Sequence, residues 1–352
     1  MSQKPDMPIS DKWEDDHLDR INVARFLTQY LNGLYQESDP TKNDEGFFVL
    51  NLNATWGHGK TFLLKKWSND LKENKYPVLM FDAWKNDYTR EPLVGFISEL
   101  NESLNEWANF VTPIKNRVDQ LLASSKKLIN VGGIAQHVVN AGIAVKTGVN
   151  PGLSKKSDTY AASVLKAHRS MKNAIDDFKT SLTNLIEAIE LEQKEDQVRA
   201  KEKQLGIKLP LYIFVDELDR CRPTYAIELL ENIKHLFGIR GVFFVIATNK
   251  EQLSHSIQAV YGHSFDASGY LGRFFDQEYT LPDPDNLRYA RYLINDRYQL
   301  KEISGQTDVS DRHMVIPPFL AVTRSGVGGE FQFLHGRDAA KRHVRSFVIV
   351  RP

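Results

Sequence analysis

Four short, nearly continuous apolar runs dominate the hydrophobic pattern; they lie at residues 47–52, 76–84, 209–215 and 242–249. Such runs are typical of strands that are buried on both faces of a parallel sheet. Segments with apolar residues at helical spacing separate them. The pattern therefore predicts an α/β fold, with a mostly parallel sheet flanked by helices.

Apolar stripes with a period of about 3.6 residues predict the helices. One helix is expected at about residues 16–32, and others within 91–128, where the stripe is interrupted near Pro113. A longer helix follows, with apolar residues on the a and d positions of a heptad repeat. This coiled-coil-like seam either packs on its own domain, which we favour, or joins two copies of the chain. The seam consists of Val164, Met171, Ile175, Phe178, Leu182, Leu185 and Ile189.

Residues 130–157 differ from the helices around them, because they are rich in Gly, Val and small side chains. The apolar stretch 131–145 is interrupted by Gln136, His137 and Asn140. It is therefore too short and too polar for a convincing membrane span. We interpret the segment as a flexible loop, with contact to a lipid surface as the less favoured alternative.

The strongest chemical signal follows the first apolar run, in Ala54-Thr55-Trp56-Gly57-His58-Gly59-Lys60-Thr61. A phosphate loop requires Gly, four free positions, Gly, Lys and Ser or Thr, and only Ala54 departs from this pattern. Its glycines allow backbone N–H groups to point at a phosphate, and the following helix adds a partial positive charge. The alternative is an ordinary turn with a solvated lysine. We expect the nucleotide to be bound by Gly57, His58, Gly59, Lys60, Thr61 and Phe62.

Two carboxylates, Asp216 and Glu217, follow the third apolar run, where a parallel strand delivers side chains to a ligand crevice. Thr61 and Asp216 are the expected Mg²⁺ ligands, and Glu217 is the expected base that orients or deprotonates the attacking water. Without a phosphate loop, the same pair could simply be the polar end of a strand. Asn249, or Thr248, at the end of the fourth run could hydrogen-bond the outer phosphate or the water, although asparagine is also common at turns.

Composition excludes some classes of protein. Acidic and basic residues number 45 each, so the overall charge gives no reason to expect nucleic acid or an anionic membrane as the main partner. A single cysteine, Cys221, excludes an internal disulfide framework and fits a reducing compartment. The polar, acidic residues 1–16 do not resemble a secretory signal. We expect a cytoplasmic location, with peripheral membrane association as the alternative.

Together the motifs resemble those of the KAP family of P-loop NTPases. The resemblance covers about residues 11–300, and its most specific part is Asp216-Glu217-Leu218-Asp219-Arg220-Cys221. It also includes the phosphate loop, Phe81-Asp82-Ala83-Trp84, Asn249-Lys250-Glu251-Gln252-Leu253 and Tyr270-Leu271-Gly272-Arg273-Phe274-Phe275. The resemblance implies ATP hydrolysis coupled to a conformational change. It also implies a P-loop NTPase sheet of the additional-strand type, with a large helical insert between the Walker A loop and the Walker B carboxylates.

Three positions depart from the family pattern: Ala54, Glu217 and Asn249. Many relatives have aspartate at the last two positions; the longer Glu217 suits a base, whereas Asn249 leaves the sensor role open. The resemblance also implies that Lys60, Glu217 and Asn249 are catalytic and that ATP and Mg²⁺ are the cofactors. Arg273 occurs where relatives often have a basic residue, so it could sense phosphate or contact another subunit, although a surface salt bridge is the favoured explanation.

The predicted organisation has five parts. Residues 1–90 form an N-terminal helix and the first part of the nucleotide-binding core, 91–205 the helical insert, and 206–285 the second part of the core. Residues 286–320 begin a helical lid, and 321–352 form an atypical tail with six Lys or Arg against two acidic residues. The tail is either a basic segment for nucleic acid or anionic lipid or, as we favour, the result of a frameshift near Ala321, which would leave it disordered and the lid incomplete.

The functional hypothesis is an ATP-hydrolysing conformational switch, active as a homo-oligomer with an unidentified protein partner or effector. The family resemblance favours a role in anti-phage defence or plasmid exclusion. The alternative is a nucleotide-binding scaffold, or a membrane-associated protein, without efficient turnover.

Overall fold

The computed structural model describes residues 13–39, 46–89, 91–108, 114–146, 157–198, 207–285, 289, 321–325 and 330–334. The chain divides into two compact units. The first contains Met1–Trp13 and Ile21–Leu281, and the second contains Glu14–Arg20 and Pro282–Pro352.

The described helices and strands alternate along most of the chain. The helices are α1 (Arg20–Glu37), α2 (Lys60–Glu73), α3 (Ala83–Asn86), α4 (Pro92–Ala108), α5 (Lys115–Lys146), α6 (Ser157–Val198), α7 (Pro223–Leu236), α8 (Lys250–Tyr261) and α9 (Ala267–Leu271). The strands are β1 (Phe48–Asn53), β2 (Val78–Asp82), β3 (Leu211–Asp216), β4 (Val242–Thr248), β5 (Gln277–Thr280), β6 (Ala321–Ser325) and β7 (Glu330–Leu334). A short 3-10 helix, Leu218–Arg220, follows β3.

The first unit contains a five-stranded parallel sheet with the order β2-β3-β4-β1-β5. The four apolar runs form β1 to β4, as predicted. Strand β4 lies between β1, which precedes the phosphate loop, and β3, which precedes the carboxylates. This order confirms a P-loop fold of the additional-strand type. The sequence pattern missed β5, because this short edge strand is polar and mostly exposed.

Alternate side chains along the strands form two buried clusters, one on each face of the sheet. On one face, α1 and α2 pack through residues such as Leu27, Leu31 and Trp67. On the other face, Phe81 and Phe244 pack with side chains from α4 to α9. Because both faces are covered, the central strands β3 and β4 are buried at every position, and their sequences are almost entirely apolar.

The helical insert between β2 and β3 consists of α4, α5 and α6. Helices α5 and α6 run antiparallel. Near the middle of both helices, Lys127 of α5 forms an ion pair with Asp177 of α6. At the base of the pair, Arg117 near the start of α5 and Leu191 near the end of α6 line the same cavity. The seam residues Phe178, Leu182, Leu185 and Ile189 are buried within the core of the first unit. The seam thus packs on its own domain.

The loop predicted for residues 130–157 is partly wrong, because α5 remains helical as far as Lys146. Extending an established helix costs little, and α6 packs along this one, so the small residues and glycines do not terminate it. Residues 130–146 lack an apolar stripe at helical spacing, so the sequence did not indicate a helix there. Among the described helices, none combines the length and the apolar character needed to cross a bilayer.

A polar network at the amino end of the sheet, where the strands begin, joins the insert to α1. Arg240, just before β4, pairs with Glu190 of α6, and its guanidinium lies 4.8 Å from the Tyr35 ring. The Tyr35 hydroxyl donates to Glu190, and Arg240 Nε donates to Ser38 Oγ at 3.1 Å. Burial, with the hydrogen bond to the Glu190 carboxylate second, raises the pKa of Tyr35 above its ordinary value.

The second unit is described only in part. Arg20 donates from its guanidinium to the carbonyl oxygen of Pro282 at 3.1 Å. The predicted lid at 286–320 lies outside the described residues except for Tyr289, whose N–H donates to the Asp285 carbonyl at 3.0 Å. In the tail, β6 and β7 pair antiparallel, with Ala321 opposite Leu334. The rest of the tail lies outside the described part.

Candidate functional site

The phosphate loop connects β1 to α2 at the carboxyl end of the sheet. Gly57 and Gly59 have φ values of +86° and +79°, in the left-handed region that favours glycine. Ala54 is not among the residues with positive φ, and its N–H donates to the Thr248 carbonyl at 3.0 Å. The backbone at Ala54 therefore tolerates a side chain, which explains how the loop keeps its form without the first glycine of the motif.

The loop geometry fits a phosphate group. A Cβ atom added to Gly57 would meet nothing within 4 Å, so open space lies above the loop. Within the described residues, the N–H groups of Gly57, Gly59 and Lys60 donate to no protein oxygen. These donors lie at the N-terminus of α2, where the helix dipole favours an anion.

Lys60 is folded into the loop, with a relative exposure of 9%. Its Nζ donates to the carbonyl oxygens of Ala54, at 2.6 Å, and Thr55, at 3.2 Å. Burial lowers the pKa of Lys60, and the nearby Asp219 and Asp216 carboxylates oppose that shift. The ammonium group is therefore held beside the loop by contacts that an outer phosphate could replace.

The Thr61 hydroxyl lies close to the carboxylates of Asp216 and Glu217, beyond the carboxyl end of β4. The Thr61 hydroxyl donates to Glu217 Oε1 at 3.3 Å, and the Glu217 N–H donates to Asp216 Oδ1 at 2.9 Å. Burial raises the pKa of both carboxyls; the neighbouring Asp216 charge contributes to the shift at Glu217, and Asp82 contributes to the shift at Asp216. Hydroxyl and carboxylate oxygens are suitable Mg²⁺ ligands, so these residues fit the predicted cation.

The turn after β3 adds contacts whose roles the sequence motif did not assign. Asp219 Oδ2 accepts a hydrogen bond from Trp56 Nε1 of the phosphate loop at 2.7 Å. Arg220 pairs with Glu217, and its guanidinium lies 5.7 Å from the centre of the Trp84 ring. Asp219 and Arg220 belong to the most specific family motif, and membership of that motif was the available sequence signal that they have a role in the site. This turn links the phosphate loop, the predicted base and α3, which directly follows β2.

The two sensor candidates differ in their environment. Thr248 is fully buried and donates from its hydroxyl to Asn51 Oδ1 at 2.7 Å, so it is engaged inside the sheet. Asn249 is the N-cap residue of α8, and its Oδ1 accepts the Gln252 N–H at 3.3 Å. Because it follows β4, Asn249 lies between the phosphate loop and the carboxylates. The cap uses the amide oxygen, whereas a phosphate contact would use the amide nitrogen, so the two roles are compatible.

The side chains of His58 and Phe62, which were also predicted to bind the nucleotide, contact other protein groups. The His58 ring contacts the Thr55 hydroxyl at 2.7 Å, within the loop itself. The Phe62 ring packs edge-on against Trp13, 6.1 Å between centroids, so only its backbone N–H is suited to an anion.

The phosphate-sensing role considered for Arg273 is wrong within this chain, because the residue lies at the wrong end of the sheet. Arg273 lies three residues before Asp276, whose carboxylate accepts the N–H of Val49 near the start of β1. The phosphate loop lies at the opposite end of that strand.

Comparison with known proteins agrees with this geometry. Residues 29–316 match the family model described as KAP family P-loop domain. The "Uncharacterized protein MJ0182" of Methanocaldococcus jannaschii is 27% identical over 184 residues, which are 49% of this chain and 89% of that protein. The family match covers the phosphate loop, the insert and the carboxylates, and it ends before the atypical tail. The chain therefore belongs to the KAP family of P-loop NTPase domains, which are nucleotide-binding domains.

Proposed function

We propose that this domain binds ATP with Mg²⁺, hydrolyses it, and uses the nucleotide state as a conformational switch. The main supporting observation is the 3.3 Å contact between Thr61 and Glu217, which are 156 positions apart in the chain. It brings the predicted metal ligands and the predicted base to the edge of the same phosphate loop. This is the arrangement that phosphoryl transfer to water requires.

Each residue has a distinct role in this proposal. Bound Mg²⁺ supplies positive charge to the phosphate oxygens, and Thr61 and Asp216 would hold it. Lys60 transfers its ammonium contacts from the loop carbonyls to the outer phosphate. Glu217 accepts a proton from the attacking water, and Asn249 donates its amide N–H to the outer phosphate or to that water.

The test compares ATP binding and ATP turnover in Lys60→Ala and Glu217→Gln. Lys60→Ala should lose both, because the outer phosphate loses the ammonium group that contacts it. Glu217→Gln should retain ATP affinity but lose turnover by about 100-fold or more, because an amide cannot accept the proton. Lys65→Ala is the matched control, because Lys65 is an exposed lysine on the same helix. Full turnover in Glu217→Gln would overturn the assignment of the base.

A second candidate function is a nucleotide-binding scaffold or membrane-associated protein without efficient turnover. One observation favours it: the Glu217 carboxylate is already engaged, by a hydrogen bond from the Thr61 hydroxyl to Oε1 and by an ion pair between Oε2 and Arg220. A wild-type protein that binds ATP but hydrolyses it no faster than Glu217→Gln would support this candidate. Flotation with anionic liposomes tests membrane association separately.

The biological setting is proposed from family membership alone. We propose a cytoplasmic, homo-oligomeric protein that acts with an effector in anti-phage defence or plasmid exclusion. Phage plating on cells that express the wild type or Lys60→Ala tests the defence role, which predicts protection only by the wild type. Light scattering with and without ATP tests oligomerisation, and a constant monomer mass would contradict it.

A further inference from the structure

Arg220 is a charged side chain in direct contact with the predicted base, and the proposed mechanism does not yet use it. Its Nε pairs with Glu217 Oε2; the side chains of Arg220 and Glu217 are 44% and 18% exposed. The guanidinium also lies 5.7 Å from the centre of the Trp84 ring, within the range of a cation–π contact. Arg220 therefore contacts the base on one side and α3, which follows β2, on the other.

The two oxygens of Glu217 have different partners. Oε1 accepts the Thr61 hydroxyl, and Oε2 contacts Arg220. If Thr61 turns its oxygen toward a cation, Oε1 is released while Oε2 can remain with Arg220. A general base requires one free oxygen and a third group that fixes its orientation, and this division of contacts provides both.

The backbone explains why Arg220 can reach Glu217. Glu217 has a φ of 62°, in the left-handed region, and the 3-10 helix Leu218–Arg220 follows directly. This reversal brings residue 220 back beside residue 217. Asp219 in the same turn accepts the Trp56 indole N–H, so the turn is also fastened to the phosphate loop.

We propose that Arg220 is a positioning residue for Glu217, and that Trp84 holds the guanidinium in place. The proposal depends on Glu217 acting as the base. It gives a function to the exposed Trp84 ring, which is the support on which the arginine lies. Arginine suits this task better than lysine, because its planar group can stack on a ring while it donates to a carboxylate.

The test measures kcat, KM and equilibrium ATP affinity for Arg220→Ala, Arg220→Lys and Trp84→Ala, with Glu217→Gln in parallel. Arg220→Ala should lower kcat by about 10- to 100-fold, the usual effect of removing an orienting partner, and change ATP affinity by less than about twofold. Arg220→Lys should recover part of the loss, and Trp84→Ala should show a smaller decrease. Arg222→Ala is the matched control, since Arg222 is a similarly exposed arginine that pairs with Asp87 instead.

The outcomes separate this inference from the proposed function. If Glu217→Gln stops turnover but Arg220→Ala leaves kcat unchanged or raises it, the base is correct and the positioning role is overturned. A parallel loss of ATP affinity in Arg220→Ala would also overturn it, because the arginine would then contact the nucleotide or support the fold. If Glu217→Gln retains turnover, the proposed function itself fails. Thermal unfolding of each variant separates kinetic losses from misfolding.

Discussion

The two ends of the sheet contain the same combination of groups, an arginine paired with a glutamate and placed over an aromatic ring. At the amino end, Arg240 pairs with Glu190 over Tyr35. The two paired side chains are only 18% and 16% exposed, and the Tyr35 and Ser38 hydroxyls complete the network. Three segments distant in sequence meet there, so the network fixes the insert to the core.

At the carboxyl end, Arg220 and Glu217 belong to one turn and are three positions apart. The arginine is largely exposed, and Glu217 has a second contact that a cation can displace. The same combination of arginine, glutamate and aromatic ring therefore suits a different role at each end of the sheet. A shielded pair between distant segments stabilises the fold, whereas an accessible pair within one turn can orient a reacting group.

The largest expected effect is at the amino end. Arg240→Ala should lower the free energy of unfolding by about 2–4 kcal/mol, because it leaves the Glu190 carboxylate shielded from water without its cation. ATP affinity per folded molecule should not change. Urea denaturation and ATP titration measure the two quantities. Arg220→Ala, the counterpart at the other end, should cost less than about 1 kcal/mol of stability. Equal stability losses in the two variants would remove the distinction between the ends.

A smaller loss of stability is expected for Tyr35→Phe. The variant retains the ring beneath Arg240 but lacks the hydroxyl that donates to Glu190. A hydrogen bond to a charged group contributes about 1.5–3 kcal/mol, and the lower part of this range is the expected decrease in the free energy of unfolding. A double-mutant cycle with Glu190→Gln should show that the two losses are not additive. Full additivity would mean that the hydroxyl and the carboxylate act independently.

At the carboxyl end, Trp56→Phe should lower ATP affinity at least as much as it lowers the free energy of unfolding. The substitution removes the indole N–H that donates to Asp219 and leaves an aromatic ring at the loop. We expect ATP affinity to fall about three- to tenfold, which is roughly 0.7–1.4 kcal/mol, because the loop loses its link to the turn after β3. Trp107→Phe, at a partly exposed tryptophan of α4, serves as the control for loss of an indole elsewhere in the chain. Wild-type affinity in Trp56→Phe would show that the bond does not order the loop.

The smallest expected change in stability is that of Asp216→Asn, and it depends on pH. Burial raises the pKa of Asp216, so the folded protein binds this proton more tightly than the unfolded chain does. Stability therefore falls as pH rises from the ordinary aspartate pKa through the raised folded value. Without nucleotide and with chelator present, Asp216→Asn should be slightly more stable than wild type at neutral pH. That advantage should vanish below about pH 4. A constant difference across pH would contradict the assignment to Asp216.

The sequence predicted the central sheet and the phosphate loop because their signals are local. Buried parallel strands are continuous apolar runs, and the loop requires glycines at fixed spacing. Strand β5 lacked such a run, and residues 130–146 lacked a helical stripe, so both were missed. The glycine absent at Ala54 did not disturb the loop, because the backbone there does not require positive φ.

The contacts that distinguish the two ends of the sheet could not be predicted in the same way. Trp56 and Asp219 are 163 positions apart, and Arg240 and Glu190 are 50 apart. No periodic pattern relates such positions, and their pairing depends on the order of the strands. The sequence could identify Asp219 and Arg220 as parts of a specific motif, but only the structure gives their partners.

The antiparallel arrangement of α5 and α6 has a mechanical consequence. The start of α5 and the end of α6 pack into the core of the first unit, and Glu190 of α6 is held there by Arg240. Helix α5 has 32 residues, so its far end at Lys146 lies about 48 Å along the helix from its start. A rotation of about 5° at the base would displace that end by about 4 Å. If α5 and α6 turned as one rigid pair, the length of α5 would convert a small rotation near the Arg240 network into a much larger displacement at its far end.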